Sequence, residues 1–438
     1  MKVLIRPKKL KGIIDVVPSK SYSHRAIIAA SLANGRSVIK NVLFSDDINR
    51  TIACCEAFGA TIEKYENYLI IDGSNVRRLK DMVNVGESGS TIRFMIPILL
   101  TNSMPIEFIG ENNLVNRPLD SYYKIFDEQG ISYTHPSNEY LPLKTKGGLK
   151  SGEFSILGNV SSQFITGLLF ALPLLNGDSK INIVGKLESK AYIDLTLDIL
   201  SLYNIEVVNN NYESFYIKGN QEYKPCDYVV EGDFSQAAFF LAMGVLGNDV
   251  SLGCMNMSSL QGDRKIIEDI KSLGGNISYE DGLLKATPND LVASTIDFSQ
   301  SPDLGPILSV VSSLAKGQTK FINAGRLRIK ECDRITCVKE ELNKLGAMVT
   351  ESETEMYFNG VEKLHGSLEL DTHNDHRIAM SLAVASTVCD SPLEIENAGC
   401  VKKSYPHFWS DFVKLGGDID VIDWWCKKEN QCYWCRND

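Results

Sequence analysis

The chain has 438 residues, 44% of them hydrophobic and 23% charged, with a formal net charge of −10. That composition is typical of a folded globular protein, and the length is more than one core accommodates, so two domains are expected. The acidic balance argues against nucleic acid as a main partner. No apolar run reaches the length of a membrane span, and the basic opening residues lack the apolar stretch of a secretory signal, so a cytosolic protein is expected.

Read in chain order, the sequence repeats itself. Six times a short polar motif runs into a helix-like apolar stretch: SKSYSHRAIIAASLANG, SGSTIRFMIPILLTN, SSQFITGLLFALPLLNG, GDFSQAAFFLAMGVLGN, PDLGPILSVVSSLAKG and NDHRIAMSLAVASTV. Anchored at Lys20, Gly89, Ser162, Asp233, Asp303 and Asp375, the copies are spaced by 69, 73, 71, 70 and 72 residues. A period sustained over the chain marks a repeated supersecondary unit. After each apolar stretch comes a β-type run (SVIKNV, PIEFIG, SKINIVG, DVSLGC, TKFINAG, PLEIEN). An amphipathic helix follows, such as DRKIIEDIKSLGG, and in most units an alternating strand pair. The unit therefore reads helix, strand, helix, strand, strand.

The first helix of each unit is apolar on nearly every side, which predicts burial in the middle of its domain. Its amino end carries unsatisfied N–H groups and the positive end of the helix dipole. Ser, Thr, Asp or Asn at those ends is what ordinary capping requires. Capping does not account for Lys20, Arg25, Arg93, Arg334, Arg377 and Lys403 at or near unit starts, because cations there are unfavourable unless an anion offsets them. Two groups of three such helix ends, aimed at a shared cleft, would trap anions.

The eleven cysteines are mostly scattered through apolar segments and read as reduced thiols. Cys426, Cys432 and Cys435 crowd together in the tail, but they lack a preceding CxxC pair and a nearby His, so a packed or frayed tail is favoured over zinc.

The motifs PSKSYSHRA, SGSTIR, NRP, SSQF, SKAYID, EGDFS, QGD, PD, LRIKECDR, NDHR and KKSYP occur in the order of the 5-enolpyruvylshikimate-3-phosphate synthases, and the chain resembles that enolpyruvyl transferase family from Lys20 to about Phe408. The resemblance implies an α/β (α+β) fold, a two-domain inside-out α/β barrel of six βαβαββ-type repeats, three per domain. The first domain would comprise 1–18 plus 232–438 and the second 19–231, with crossings near Pro18 and Glu231 and the active site in the interdomain cleft. The implied reaction transfers the enolpyruvyl group of phosphoenolpyruvate to shikimate 3-phosphate, in a cytoplasmic monomer without metal or other cofactor. The family is also the glyphosate target.

By match to the family's motifs, shikimate 3-phosphate falls to Lys20, Ser21, Arg25, Ser161, Ser162, Gln163, Ser189, Asp303 and Lys330, with Tyr192 nearby. Phosphoenolpyruvate falls to Lys20, Gly89, Arg117, Gln163, Arg334, Arg377 and Lys403. Asp303 is implied as the base, and Glu331 as the proton donor with help from Lys20 or Lys403. Blander readings stand beside these. Asp303 after Pro302 is also an ordinary cap, Glu331 and Arg334 an ordinary i, i+3 pair, and His24 and His376 packing histidines.

Two departures from the family pattern stand out. Pro18 runs directly to Ser19 without the usual Gly, and Glu87 replaces an Asn, placing a carboxylate near an anion site unless it faces away or pairs with Arg93. The sister enzyme acting on UDP-N-acetylglucosamine is the nearest rival. It typically uses a loop Cys, and none occurs here between Cys55 and Cys226. A non-catalytic repeat scaffold is the rival of another kind.

Overall fold

The computed structural model describes residues 1–74 and 78–422; the tail cysteines Cys426, Cys432 and Cys435 lie outside them. The six apolar stretches form helices Lys20–Leu32, Gly89–Leu99, Ser162–Ala171, Phe234–Val245, Gly305–Ser312 and His376–Ser386. Every residue of the last three is buried. A fully buried Leu, Ile or Phe contributes roughly 1.5–3 kcal/mol, so these all-round apolar helices are stable only as the centres of layers.

Each helix feeds a four-stranded sheet, and all six sheets have one order. An outer strand lies parallel to the strand that follows the helix, and two antiparallel strands complete the sheet. Four outer strands immediately precede their helix: Met82–Asn84, Glu153–Leu157, Thr295–Asp297 and Leu370–Asp371. The other two are exchanged. Lys11–Asp15 pairs with Asp249–Gly253, although the helix following it in the chain is Lys20–Leu32. Tyr228–Val229 pairs with Arg36–Lys40, although the helix following it is Phe234–Val245. The sixth sheet is finished by the first strand of the chain, as Lys2–Arg6 lies between Leu393–Glu396 and Asp418–Ile422.

The chain divides into two compact units. Met1–Val16, Phe234–Met255 and the described residues from Lys265 to Ile422 form the terminal unit, with three of the core helices. Val17–Asp233 with Asn256–Arg264 forms the middle unit, with the other three. In the middle unit the segments at Pro18 and Gly232 form an antiparallel bridge, and the Ser19 N–H donates to the Glu231 carbonyl at 2.7 Å. Pro18–Ser19 is thus ordinary paired backbone despite the missing Gly. Also in this unit, helices Gly89–Leu99 and Ser162–Ala171 approach closely at Gly167. A Cβ there would lie 2.3 Å from the Arg93 carbonyl oxygen, so no larger residue fits without separating the helices.

Candidate active site

In the middle unit the amino ends of the core helices carry the polar side chains singled out by the sequence. Helix Lys20–Leu32 begins at its cap Ser19 and presents Lys20, Ser21 and Arg25 over its first turns. The Lys20 backbone N–H donates to Asp233 Oδ2 at 2.9 Å, and Lys20 Nζ bonds Asp47 Oδ2 at 2.7 Å. Arg25 is only 2% exposed. Its Nε donates to Thr196 Oγ1 at 2.9 Å, Nη1 to the Ser21 carbonyl at 2.7 Å and Nη2 to the Tyr192 carbonyl at 2.8 Å. All three acceptors are neutral. Burial pulls the guanidinium down to about 10, only partly countered by Tyr192 and Tyr22.

The second and third helix ends meet through Gln163. Its Oε1 accepts from Arg93 Nη1 at 2.9 Å, and its Nε2 donates to Ser90 Oγ at 2.9 Å. Ser161 caps helix Ser162–Ala171, and Ser162 is buried. Gly89 lies against Arg117, since a Cβ at Gly89 would be 2.6 Å from Arg117 Nη1. Ser189 is buried at φ 55°, a left-handed conformation that costs a non-glycine residue energy. Glu87 accepts a hydrogen bond from Asn112 Nδ2 at 2.9 Å, while Arg93 donates to Gln163 and to the Pro118 carbonyl. Behind these ends runs a buried chain, from His24 Nδ1 to Thr51 Oγ1, to Thr91 Oγ1, to the cap Ser88, with each step 2.7 Å. Burial, then Lys20 and Arg25, keep His24 well below the usual imidazole range, and its ring meets Phe94 edge-on.

The terminal unit gathers the remaining groups around two carboxylates. Asp303 sits in the 3-10 turn Pro302–Leu304 that leads into helix Gly305–Ser312. Its Oδ1 accepts from Arg334 Nη1 at 2.8 Å and pairs with Lys330 Nζ at 3.1 Å; its Oδ2 accepts from Arg377 Nη2 at 3.4 Å. Burial alone would raise this carboxyl. Arg377, Lys330 and Arg334 overcome burial and hold it well below the usual carboxylate range. Asp375 caps helix His376–Ser386 through the Arg377 N–H and accepts Arg334 Nε at 2.7 Å. Glu331 takes Arg334 Nη2 at 2.7 Å. Arg334 is 1% exposed yet lies well above its ordinary value, because Asp375, Glu331 and Asp303 outweigh its burial. Burial pulls Lys330 down to about 8 against the attraction of Asp303. Lys403 Nζ donates to the Asn374 carbonyl at 2.6 Å, and His376 is buried beside Asp375.

Arg117 and Ser189 lie in the middle unit and Lys403 in the terminal unit, where Asp303, Lys330, Glu331, Arg334 and Arg377 form one connected network. The sequence reading missed Asp47 and Asp375 as ion partners. Asp375 anchored the sixth repeat there but was read only as a cap, while Asp47 follows Asp46 in the first turn of helix Asp46–Phe58, where acids are commonplace. The offset expected for Lys20, Arg334 and Arg377 comes in part from the chain's own carboxylates. Among the described residues, no group of three or more His, Cys, Asp or Glu side chains could hold a metal ion. No helix among them is long and apolar enough to cross a membrane.

The pattern of the family described as EPSP synthase (3-phosphoshikimate 1-carboxyvinyltransferase) matches residues 5–412. A Clostridium perfringens protein named 3-phosphoshikimate 1-carboxyvinyltransferase is 50% identical over 421 residues, covering 95% of this chain and 98% of the relative. A Clostridioides difficile protein of the same name is 49% identical over 427 residues, with the same coverage of both chains. A solved structure of EPSP synthase from Acinetobacter baumannii superposes with a TM-score of 0.80 at 23% identity, covering 96% of this chain and 100% of that one.

Proposed function

The chain belongs to the EPSP synthase family, and from that premise we propose how its residues divide the work of enolpyruvyl transfer. The enzyme moves the enolpyruvyl group of phosphoenolpyruvate onto the 5-hydroxyl of shikimate 3-phosphate and releases phosphate, in aromatic amino-acid biosynthesis. Shikimate 3-phosphate is held by Lys20, Ser21, Arg25, Ser161, Ser162, Gln163, Ser189, Asp303 and Lys330. Phosphoenolpyruvate is held by Lys20, Gly89, Arg117, Gln163, Arg334, Arg377 and Lys403. The reading extends to a cytoplasmic monomer working without metal or organic cofactor, since addition and elimination need only proton transfer and charge stabilisation.

The observation that carries the assignment is the sharing of Asp303 by three cations. A carboxylate so stabilised is a weak base. When the phosphate and carboxylate of phosphoenolpyruvate draw Arg334 and Arg377 to themselves, their hold on Asp303 weakens and its basicity rises. Asp303 then takes the 5-hydroxyl proton as that oxygen bonds to C2 of phosphoenolpyruvate, while C3 receives a proton from Glu331, which takes one up once Arg334 has turned from it to the ligand, with help from Lys20 or Lys403. Glu331, now a carboxylate, takes a C3 proton back as phosphate departs, which restores the double bond. Phosphate release from phosphoenolpyruvate tests the reading: it should require shikimate 3-phosphate, and release driven instead by UDP-N-acetylglucosamine would overturn it.

A further inference from the structure

Cys332 and Cys337 flank Asp333, the cap of helix Arg334–Lys344. Cys332 is the residue before the cap and Cys337 the fourth residue of the helix. Side chains at those two positions meet across a helix start, a contact commonly made by two apolar groups. Here it joins two free thiols within hydrogen-bonding reach of each other. Asp333 fixes the turn between them, because its Oδ1 accepts the Ile335 and Thr336 N–H groups at 3.1 and 3.2 Å.

The surroundings favour reaction at one sulfur. His373 reaches Cys337, and its Nε2 bonds Glu341 Oε1 at 2.9 Å; these two partners raise the imidazole to about 10 and keep it cationic. The Cys332 S–H, and then His373, bring the Cys337 thiol down to about 6 against the opposing effect of burial. Cys332 stays protonated and is half-buried, and its Sγ lies 3.7 Å from Asp375 Oδ2, the same oxygen that receives Arg334 Nε. A thiolate next to a second thiol is the arrangement of a resolvable oxidation site.

We propose that Cys332 and Cys337 are a modification site at which a peroxide forms a reversible disulfide that disables the Glu331–Arg334 segment. The Cys337 thiolate attacks the peroxide, breaking its O–O bond and forming a sulfenic acid, as two electrons pass from sulfur to oxygen. The Cys332 sulfur then displaces the sulfenic oxygen and loses its proton, so that an S–S bond forms and an S–O bond breaks. One peroxide is consumed, with one disulfide and two waters as products. The S···S contact contracts to about 2.05 Å. Since Cys332 lies between Glu331 and Arg334, a displacement of those side chains by about 1 Å costs on the order of 100-fold in turnover.

The loss of activity rests on the functional reading above, whereas the cross-link does not. The experiment treats the full chain with hydrogen peroxide and measures both the cross-link, by mass spectrometry of its proteolytic peptides, and turnover before and after a dithiol reductant. The expected result is a Cys332–Cys337 disulfide accompanied by a loss of turnover on the order of 100-fold, with recovery on reduction. Cys337→Ser should keep its activity through the same exposure. Peptides carrying both residues as separate thiols or separate oxidised acids would overturn the proposal, and so would equal sensitivity of Cys337→Ser. A disulfide with undiminished turnover would overturn the claim that the cross-link disables the Glu331–Arg334 segment.

Discussion

Two buried arginines, one in each unit, show how differently this fold treats the same charge. Arg25 in the middle unit donates only to a hydroxyl and two carbonyls, and burial lowers its guanidinium to about 10. Arg334 in the terminal unit is buried as deeply but surrounded by Asp303, Glu331 and Asp375, which raise it well above its ordinary value. Dipoles compensate a buried cation less well than carboxylates do, so Arg25 keeps a charge that an incoming dianion can satisfy. Arg334 is already satisfied and has to exchange partners to bind one. On this account the middle unit presents a standing anion site, and the terminal unit a network that rearranges.

The comparison can be broken in several places. The largest effect is expected at the centre of the exchanging network: Asp303→Ala should cut turnover by roughly 10²–10⁴-fold while substrate binding persists. Steady-state kinetics with near-normal turnover would remove Asp303 as the base. Next, Arg334→Met should destabilise the fold by about 3–5 kcal/mol, because it strands carboxylates that were paired in the interior. Arg25→Met should cost less than about 2 kcal/mol in the same denaturant titration, yet raise the KM for shikimate 3-phosphate roughly tenfold to hundredfold through loss of a charge-assisted hydrogen bond.

Smaller effects sharpen the picture. Gly89→Ala forces the Arg117 guanidinium to move, since the new Cβ would lie 2.6 Å from Nη1. Displacing a side chain from its rotamer costs about 0.5–1.5 kcal/mol, so the KM for phosphoenolpyruvate should rise roughly threefold to tenfold with little change for the co-substrate. The smallest effect is one of pH. Lys330, held at about 8, is charged below that value and neutral above it. Affinity for shikimate 3-phosphate should therefore be full at lower pH and decline as pH rises through about 8. Lys330→Arg should remove the alkaline decline, because guanidinium does not deprotonate in this range.

Much of this was legible in the sequence because it is local. Apolar periodicity located all six core helices, and the polar residues at their starts, from Lys20 to Arg377, fell where helix ends must be capped. The exchange of strands Lys11–Asp15 and Tyr228–Val229 was not legible, since short strands carry no record of which distant edge they join. Nor was the completion of the sixth sheet by Lys2–Arg6, which pairs across nearly the whole chain length. The site divides the same way. Cations stood out against an acidic chain as anomalies at helix starts, but Asp47 and Asp375 did not, because acids are at home there. Which carboxylate meets which cation is a long-range fact, as the bond between Arg334 and Asp375 illustrates.

The contrast between the two buried arginines is tested most directly by thermal unfolding of Arg25→Met with and without shikimate 3-phosphate. The account predicts a melting temperature near that of the unsubstituted protein when the ligand is withheld, and loss of most of the upward shift that the ligand gives the parent. A melting temperature as depressed as that of Arg334→Met, with the ligand-induced shift intact, would contradict it.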